Sequence, residues 1–130
     1  MKKVYPIVLT PAERGYVAYV PDLQINTEGN DIADAINMAR DAIGLWGITE
    51  EDCGHKIPEP ATILLENIEH KNNEIVTLVD IDFAAYRRAN DMRTIRKNVT
   101  LPSWLNAEAE KAGVNFSQVL QEALKERLKV

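Results

Sequence analysis

The last stretch of the chain is the most restrictive, because it is too short to fold alone yet strongly patterned. Thr94 to Leu101 alternates: Ile95, Val99 and Leu101 lie on one face, and Thr94, Arg96, Asn98 and Thr100 on the other, with Lys97 interrupting the apolar side. That period of two predicts a strand. Pro102 stops it and suits a helix start. Ser103 to Ala112 reads as a short helix with Leu105, Ala109 and Ala112 inward, closed by Gly113. Asn115 caps a second helix, Gln118 completes a capping-box-like start, and Phe116, Val119, Leu120, Ala123, Leu124 and Leu128 form its apolar stripe. One strand and two helices in about 35 residues fall below the roughly 40 at which a domain usually stands alone. The strand has no local partner, and backbone groups must be paired. Two copies solve both problems. The sequence therefore predicts an obligate homodimer through residues 94–130, its strands paired as an antiparallel ribbon over a shared helical core.

Such a ribbon presents Arg96, Asn98 and Thr100 from each copy on one face. A two-stranded ribbon fits the DNA major groove, where Arg bridges guanine acceptors, Asn bridges adenine, and Thr bonds a base edge or touches a thymine methyl. Asn115, Phe116 and Ser117 open the second helix, whose N-terminal amides suit a phosphate. Alternation alone equally describes the solvated face of an edge strand; the two helices that follow favour DNA.

The preceding residues read strand, strand, strand, helix, strand. Val4 to Leu9 is β-rich, and Pro6 assigns it to an edge or a bulge. Thr10 to Gly15 is a turn, Tyr16 to Val20 a strand ended by Pro21-Asp22, and Ile25 to Glu28 a third strand, together an antiparallel meander. Ile32, Ala35, Ile36, Ala39, Ala42, Ile43 and Trp46 recur at helical spacing; Asn30 or Asp31 caps this helix and Gly47 ends it. Ile48 to Glu74 is irregular, with Ile63, Leu64, Leu65 and Ile68 as packing residues, and Glu74 to Asp82 is the fourth strand. The fold class is α+β: an N-terminal antiparallel sheet with a covering helix (β-β-β-α-β), then the strand and two helices. The modules are residues 1–85 and 94–130, joined by an Ala- and Arg-rich linker over 86–93.

Charge divides the same way. Residues 1–85 hold 6 basic and 15 acidic residues, a net of −9; residues 86–130 hold 9 basic and 5 acidic, a net of +4. Opposite signs predict different partners: a basic protein for the first module and phosphates for the second.

Other chemistry is thinly represented. Cys53 is the single cysteine, so an internal disulfide and a cysteine-rich zinc site are excluded. Cys53 and His55 do not close a metal site, and His70 lies in a polar turn. Asp80 and Asp82 share a strand face and suit a divalent cation, but a nuclease site needs further carboxylates. Glu50-Glu51-Asp52 reads as a solvated loop, Arg87, Arg88 and Arg93 as linker residues or phosphate contacts, and Trp46 and Trp104 as packing residues. No run resembles a signal peptide or the ~18 apolar residues of a membrane helix. The expectations are a cytoplasmic protein with no cofactor, metal or catalytic residue.

Arg96 to Leu128, with its Pro stop and the Gly-Val-Asn-Phe-Ser turn, resembles the ribbon-helix-helix DNA-binding family. Residues 5–46, with "GYVAYVPDLQINTEG" and "DIADAINMARDAIGLWG", resemble the HicB antitoxin domain, and the order of the two is that of long HicB proteins. Gln24-Ile25-Asn26 departs from the Pro-Gly-Cys-like turn of many members. The resemblance implies a partial RNase H fold that neutralises a HicA-like mRNA-cleaving ribonuclease toxin. It also implies a homodimer that represses its own operon on double-stranded operator DNA, with tetramers left open. By that match Arg96, Asn98 and Thr100 read bases and Asn115 to Ser117 clamp phosphate; no toxin-binding residue carries over. The alternative from another class is a ribbon-helix-helix repressor whose N-terminal domain senses a small ligand or metal.

Overall fold

Three β-rich runs separated by tight turns build the sheet. The structure is a computed structural model describing residues 2–60 and 68–130. Strands β1 (Lys2–Pro11), β2 (Tyr16–Val20) and β3 (Ile25–Gly29) form an antiparallel meander, and β4 (Ile75–Asp82) pairs antiparallel with the far side of β1, giving the order β3-β2-β1-β4. The register sets Leu9 opposite Ala18, Val20 opposite Ile25, and Tyr5 opposite Val79. Gly15 makes the first turn possible: its φ is +81°, and a Cβ there would meet the Gly29 carbonyl oxygen at 2.0 Å.

The sequence suggested an edge strand or a bulge at Pro6; β1 is central and its register with β4 runs through Pro6 without interruption. Pro6 faces Leu78 of β4, but the β2 register begins only at Val8 opposite Tyr19. The missing amide therefore falls where β1 has one neighbour instead of two.

Helix α1 (Ile32–Asp52) covers one face. The Asp31 carboxylate accepts from the Asp34 amide at 2.7 Å, fixing its start. Gly47 was expected to end α1, yet the helix runs five residues further. Helix α2 (Phe83–Asn90) explains why. A Cβ at Gly47 would lie 2.2 Å from Phe83 Cε1, and one at Gly44 2.4 Å from Tyr86 Cδ2. The two glycines are sockets for aromatic rings.

Helix α2 also takes in part of the stretch read as a linker over 86–93. Asp82 caps the helix, accepting from the Ala85 amide at 3.0 Å, and Phe83 and Tyr86 dock on α1. The chain divides into two compact units between Arg93 and Thr94. The core of the first unit joins Tyr5, Ile7 and Leu9 of β1, Ala18 and Val20 of β2, Val79 and Ile81 of β4, and Ala35, Ala39 and Ile43 of α1. Tyr5 meets Phe83 edge-on at 6.5 Å and donates to the Pro58 carbonyl at 2.7 Å. Ile32, placed in the apolar stripe, is 40% exposed at the first turn. Ile68 is buried, whereas Ile63, Leu64 and Leu65 lie outside the described residues.

The second unit contains α3 (Ser103–Lys111) and α4 (Phe116–Leu128). Thr94 to Leu101, expected as a strand, has no strand pairing in the single chain. A strand exists by virtue of a neighbour's hydrogen bonds, and a lone copy supplies none.

Candidate functional site

The second unit has helices without a core. Asn115 caps α4 as expected, its side chain accepting from the Gln118 amide at 3.0 Å, and Gly113 turns the chain at φ +69°. Neither helix buries a residue. Phe116, Leu120 and Leu105 are 38–39% exposed, Leu124 50% and Trp104 68%, so Trp104 does not pack within the single chain as the sequence suggested. Arg96, Asn98 and Thr100 are exposed, alternating with exposed Ile95, Val99 and Leu101. One chain does not assemble these three into a paired surface. Asn115, Phe116 and Ser117 stand at the first turn of α4, where helical amides lack intrahelical acceptors.

In the first unit the acidic and basic residues near the boundary are engaged with one another. Glu50-Glu51-Asp52 is not a loop but the last turn of α1, which carries no basic residue of its own. Acidic side chains there oppose the helix dipole. Arg87 and Arg93 supply the compensation. Arg87 donates to Asp52 at 3.0 Å, Asp91 at 3.4 Å and the Ile48 carbonyl at 3.3 Å. Arg93 donates to Asp52 at 3.0 Å and Asp91 at 2.7 Å. The result is a closed ring, Asp52–Arg87–Asp91–Arg93, ending one residue before the second unit. Its Arg93 bonds hold Asp91 well below the usual carboxylate range. Arg87 and Arg93 are thus paired with the protein's own carboxylates, and Arg88 is exposed.

Asp80 and Asp82 have structural partners too. Asp80 pairs with Arg40 at 3.2 Å and Lys2 at 3.8 Å, and Asp82 caps α2. The Arg40 bond lowers the pKa of Asp80, and the Ala85 amide lowers that of Asp82. No group of three His, Cys, Asp or Glu suited to a metal occurs among the described residues. His55 bonds Glu50 at 2.8 Å, His70 bonds the Ile68 carbonyl at 2.6 Å, and Cys53 is exposed at the end of α1. The sequence reading missed Arg40 and the Arg87 ring, whose partners lie 35 to 41 residues away. No helix among the described residues is long and apolar enough to cross a membrane.

Residues 5–123 match the family model described as the HicB-like antitoxin of bacterial toxin–antitoxin systems. The chain belongs to this family. The HicB-like fold extends over nearly its whole length. A toxin–antitoxin complex from Streptococcus pneumoniae matches at 21% identity and TM-score 0.58, over 98% of this chain and 99% of that one. The crystal structure of the antitoxin HicB of Burkholderia pseudomallei matches at 23% identity and TM-score 0.56, over 98% and 97%. A chain of the HicA3 and HicB3 toxin–antitoxin complex matches at 26% identity and TM-score 0.52, over 61% of this chain and 98% of its own. No curated protein matches the sequence significantly. The HicB-like antitoxin therefore shares its α+β architecture, sheet first and C-terminal helices last, with solved HicB structures.

Proposed function

We propose that this antitoxin divides its work between its two units. The first binds a HicA-like mRNA-cleaving toxin and neutralises it by occlusion. The second forms a ribbon-helix-helix homodimer that binds operator DNA and represses the antitoxin's own operon in the cytoplasm.

The observation that carries the second role is the coreless pair of capped helices. Phe116, Val119, Leu120 and Leu124 of α4 and Leu105 of α3 are all exposed in the single chain. Fully burying such a side chain contributes about 1.5–3 kcal/mol, so a second copy supplies a core that one chain lacks. The same copy gives Thr94 to Leu101 a strand partner, which gathers Arg96, Asn98 and Thr100 from both chains into one ribbon face. Asn115, Phe116 and Ser117 then hold phosphate at the start of α4.

Toxin binding by the first unit is supported by its charge and by its neighbours. Residues 1–85 carry a net of −9, suited to a basic partner, and one matching chain comes from a complex of HicA3 with HicB3. Occlusion requires no catalytic residue and no metal in the antitoxin.

Fluorescence anisotropy of the full chain on its promoter DNA tests the DNA role. Arg96→Ala is expected to weaken specific binding by about 1–3 kcal/mol per bidentate contact and to lower the specific-to-nonspecific ratio. An unchanged ratio refutes the base-reading assignment. The toxin role is tested with a fragment of residues 1–93. A cut at residue 85 removes Tyr86 from its socket on Gly44. The longer fragment should inhibit the toxin ribonuclease as a monomer; failure to inhibit overturns the division.

A further inference from the structure

The first unit is acidic, yet its positive charge is concentrated in one place. Residues 1–93 contain nine Lys and Arg and sixteen Asp and Glu. Four of those nine cations, Lys3, Lys56, Arg87 and Arg88, line a single cleft of about 580 Å³, together with two acids, Glu51 and Glu59, among the described residues. The cleft lies between the segment after α1 and the start of α2. Ile57 and Phe83, both buried, form its apolar part.

The four cations differ in what they are bound to. Lys3 is paired with Glu59, and Arg87 is held by Glu51, Asp52 and Asp91. Lys56 and Arg88 make no hydrogen bond or ion pair among the described residues. They act on Glu59 and Asp82 only at a distance. Among the described residues, the cleft lining thus sets four cations against two carboxylates beside an apolar surface, and Lys56 and Arg88 are the two cations without a direct partner there. A carboxylate offers one negative charge, whereas a phosphomonoester carries about −1.5 to −2 at neutral pH with three strong acceptor oxygens. The charge count selects the phosphomonoester, and the apolar floor suits the body that carries it.

We propose that this cleft is a phosphomonoester site, with Lys56 and Arg88 holding the phosphate and Ile57 and Phe83 contacting the attached group. The site shares no residue with the proposed DNA-binding set, Arg96, Asn98, Thr100 and Asn115 to Ser117.

The test is an NMR titration of the ¹⁵N-labelled full chain with inorganic phosphate and with AMP, each at ionic strength fixed with sodium chloride. The amides of Lys56, Ala84 and Arg88 should shift and saturate. Lys56→Gln with Arg88→Gln should weaken apparent binding at least about tenfold while other resonances stay in place. Tighter binding of AMP identifies a nucleotide-like ligand; equal binding identifies free phosphate. Shifts that follow ionic strength alone, saturation confined to Asn115–Ser117, or an unaltered curve in the double variant each overturn the proposal.

Discussion

Gly47→Ala should destabilise the antitoxin, although Gly to Ala inside a helix ordinarily contributes about 1 kcal/mol of stability. The reason is Phe83. An added Cβ would lie 2.2 Å from its Cε1 and 2.6 Å from its Cδ1. Carbon atoms settle at roughly 3.5–4.0 Å, so the ring must retreat by more than an ångström. It has little room: Phe83 is 6% exposed, Tyr5 packs edge-on at 6.5 Å, and the preceding Asp82 is fixed as the cap of α2. Overpacking of this kind costs about 1–3 kcal/mol, which outweighs the helix-propensity gain and leaves a net loss of up to about 2 kcal/mol. Urea unfolding followed by Trp46 fluorescence, in a Trp104→Phe background, reads the first unit. The midpoint should fall at constant slope. In a Phe83→Leu background the loss should shrink or reverse, because the clash partner is smaller. A stability gain from Gly47→Ala, or the same loss in both backgrounds, refutes the socket.

Three further outcomes follow from particular contacts. Tyr5, fully buried, has its hydroxyl pushed up to about 12 by desolvation and then by the nearby carboxylates Glu59 and Asp22. A raised folded pKa stabilises below the unfolded value near 10 and is lost as pH rises toward 12, so alkaline unfolding should steepen in that window and flatten in Tyr5→Phe. Asp91 is depressed, so its contribution is present above about pH 4 and is lost as pH falls; the amide protection factor at Arg93, corrected for the intrinsic exchange rate at each pH, should fall in acid and in Asp91→Asn. Asp82→Ala should cost about 1 kcal/mol by uncapping α2, and Asp82→Asn should keep most of the cap; equal losses in urea unfolding would contradict that role.

Period and caps were legible in the sequence because both are local. The four strands, α1, α3 and α4 follow from alternation, helical spacing and the caps at Asp31 and Asn115. The errors share one cause, contacts distant along the chain. Gly47 looks like a helix end until Phe83 fills its place. Residues 86–93 look like a linker because Tyr86 and Met92 are their only large apolar residues, and nothing local indicates that Gly44 receives Tyr86. Glu50 to Asp52 look solvated until Arg87 and Arg93 return to them. The strand expected over 94–101 is a different case: its alternation is local, but the described residues of this chain give it no strand to pair with. Arg96, Asn98 and Thr100 were readable as a set for the same reason that one copy does not assemble them.

The contrast between the units leads to a concentration test. The first unit buries a continuous core from its own residues, so its stability should not depend on protein concentration. The second buries nothing in either helix, so if a second copy completes it, folding and association are one equilibrium. Nature has placed one tryptophan in each unit, Trp46 on α1 and Trp104 on α3. Full-length single-tryptophan chains, Trp46→Phe and Trp104→Phe, therefore report the units separately. Diluting the protein tenfold should leave the Trp46 unfolding midpoint in place. It should lower the apparent stability reported by Trp104 by about 1.4 kcal/mol, the value for one association step. Leu120→Lys with Leu124→Lys should abolish the Trp104 transition while Trp46 stays unchanged. A Trp104 transition that is cooperative but independent of concentration would mean that the helices are completed within one chain. The dimeric ribbon, and the base-reading role of Arg96, Asn98 and Thr100 that depends on it, would then fall together.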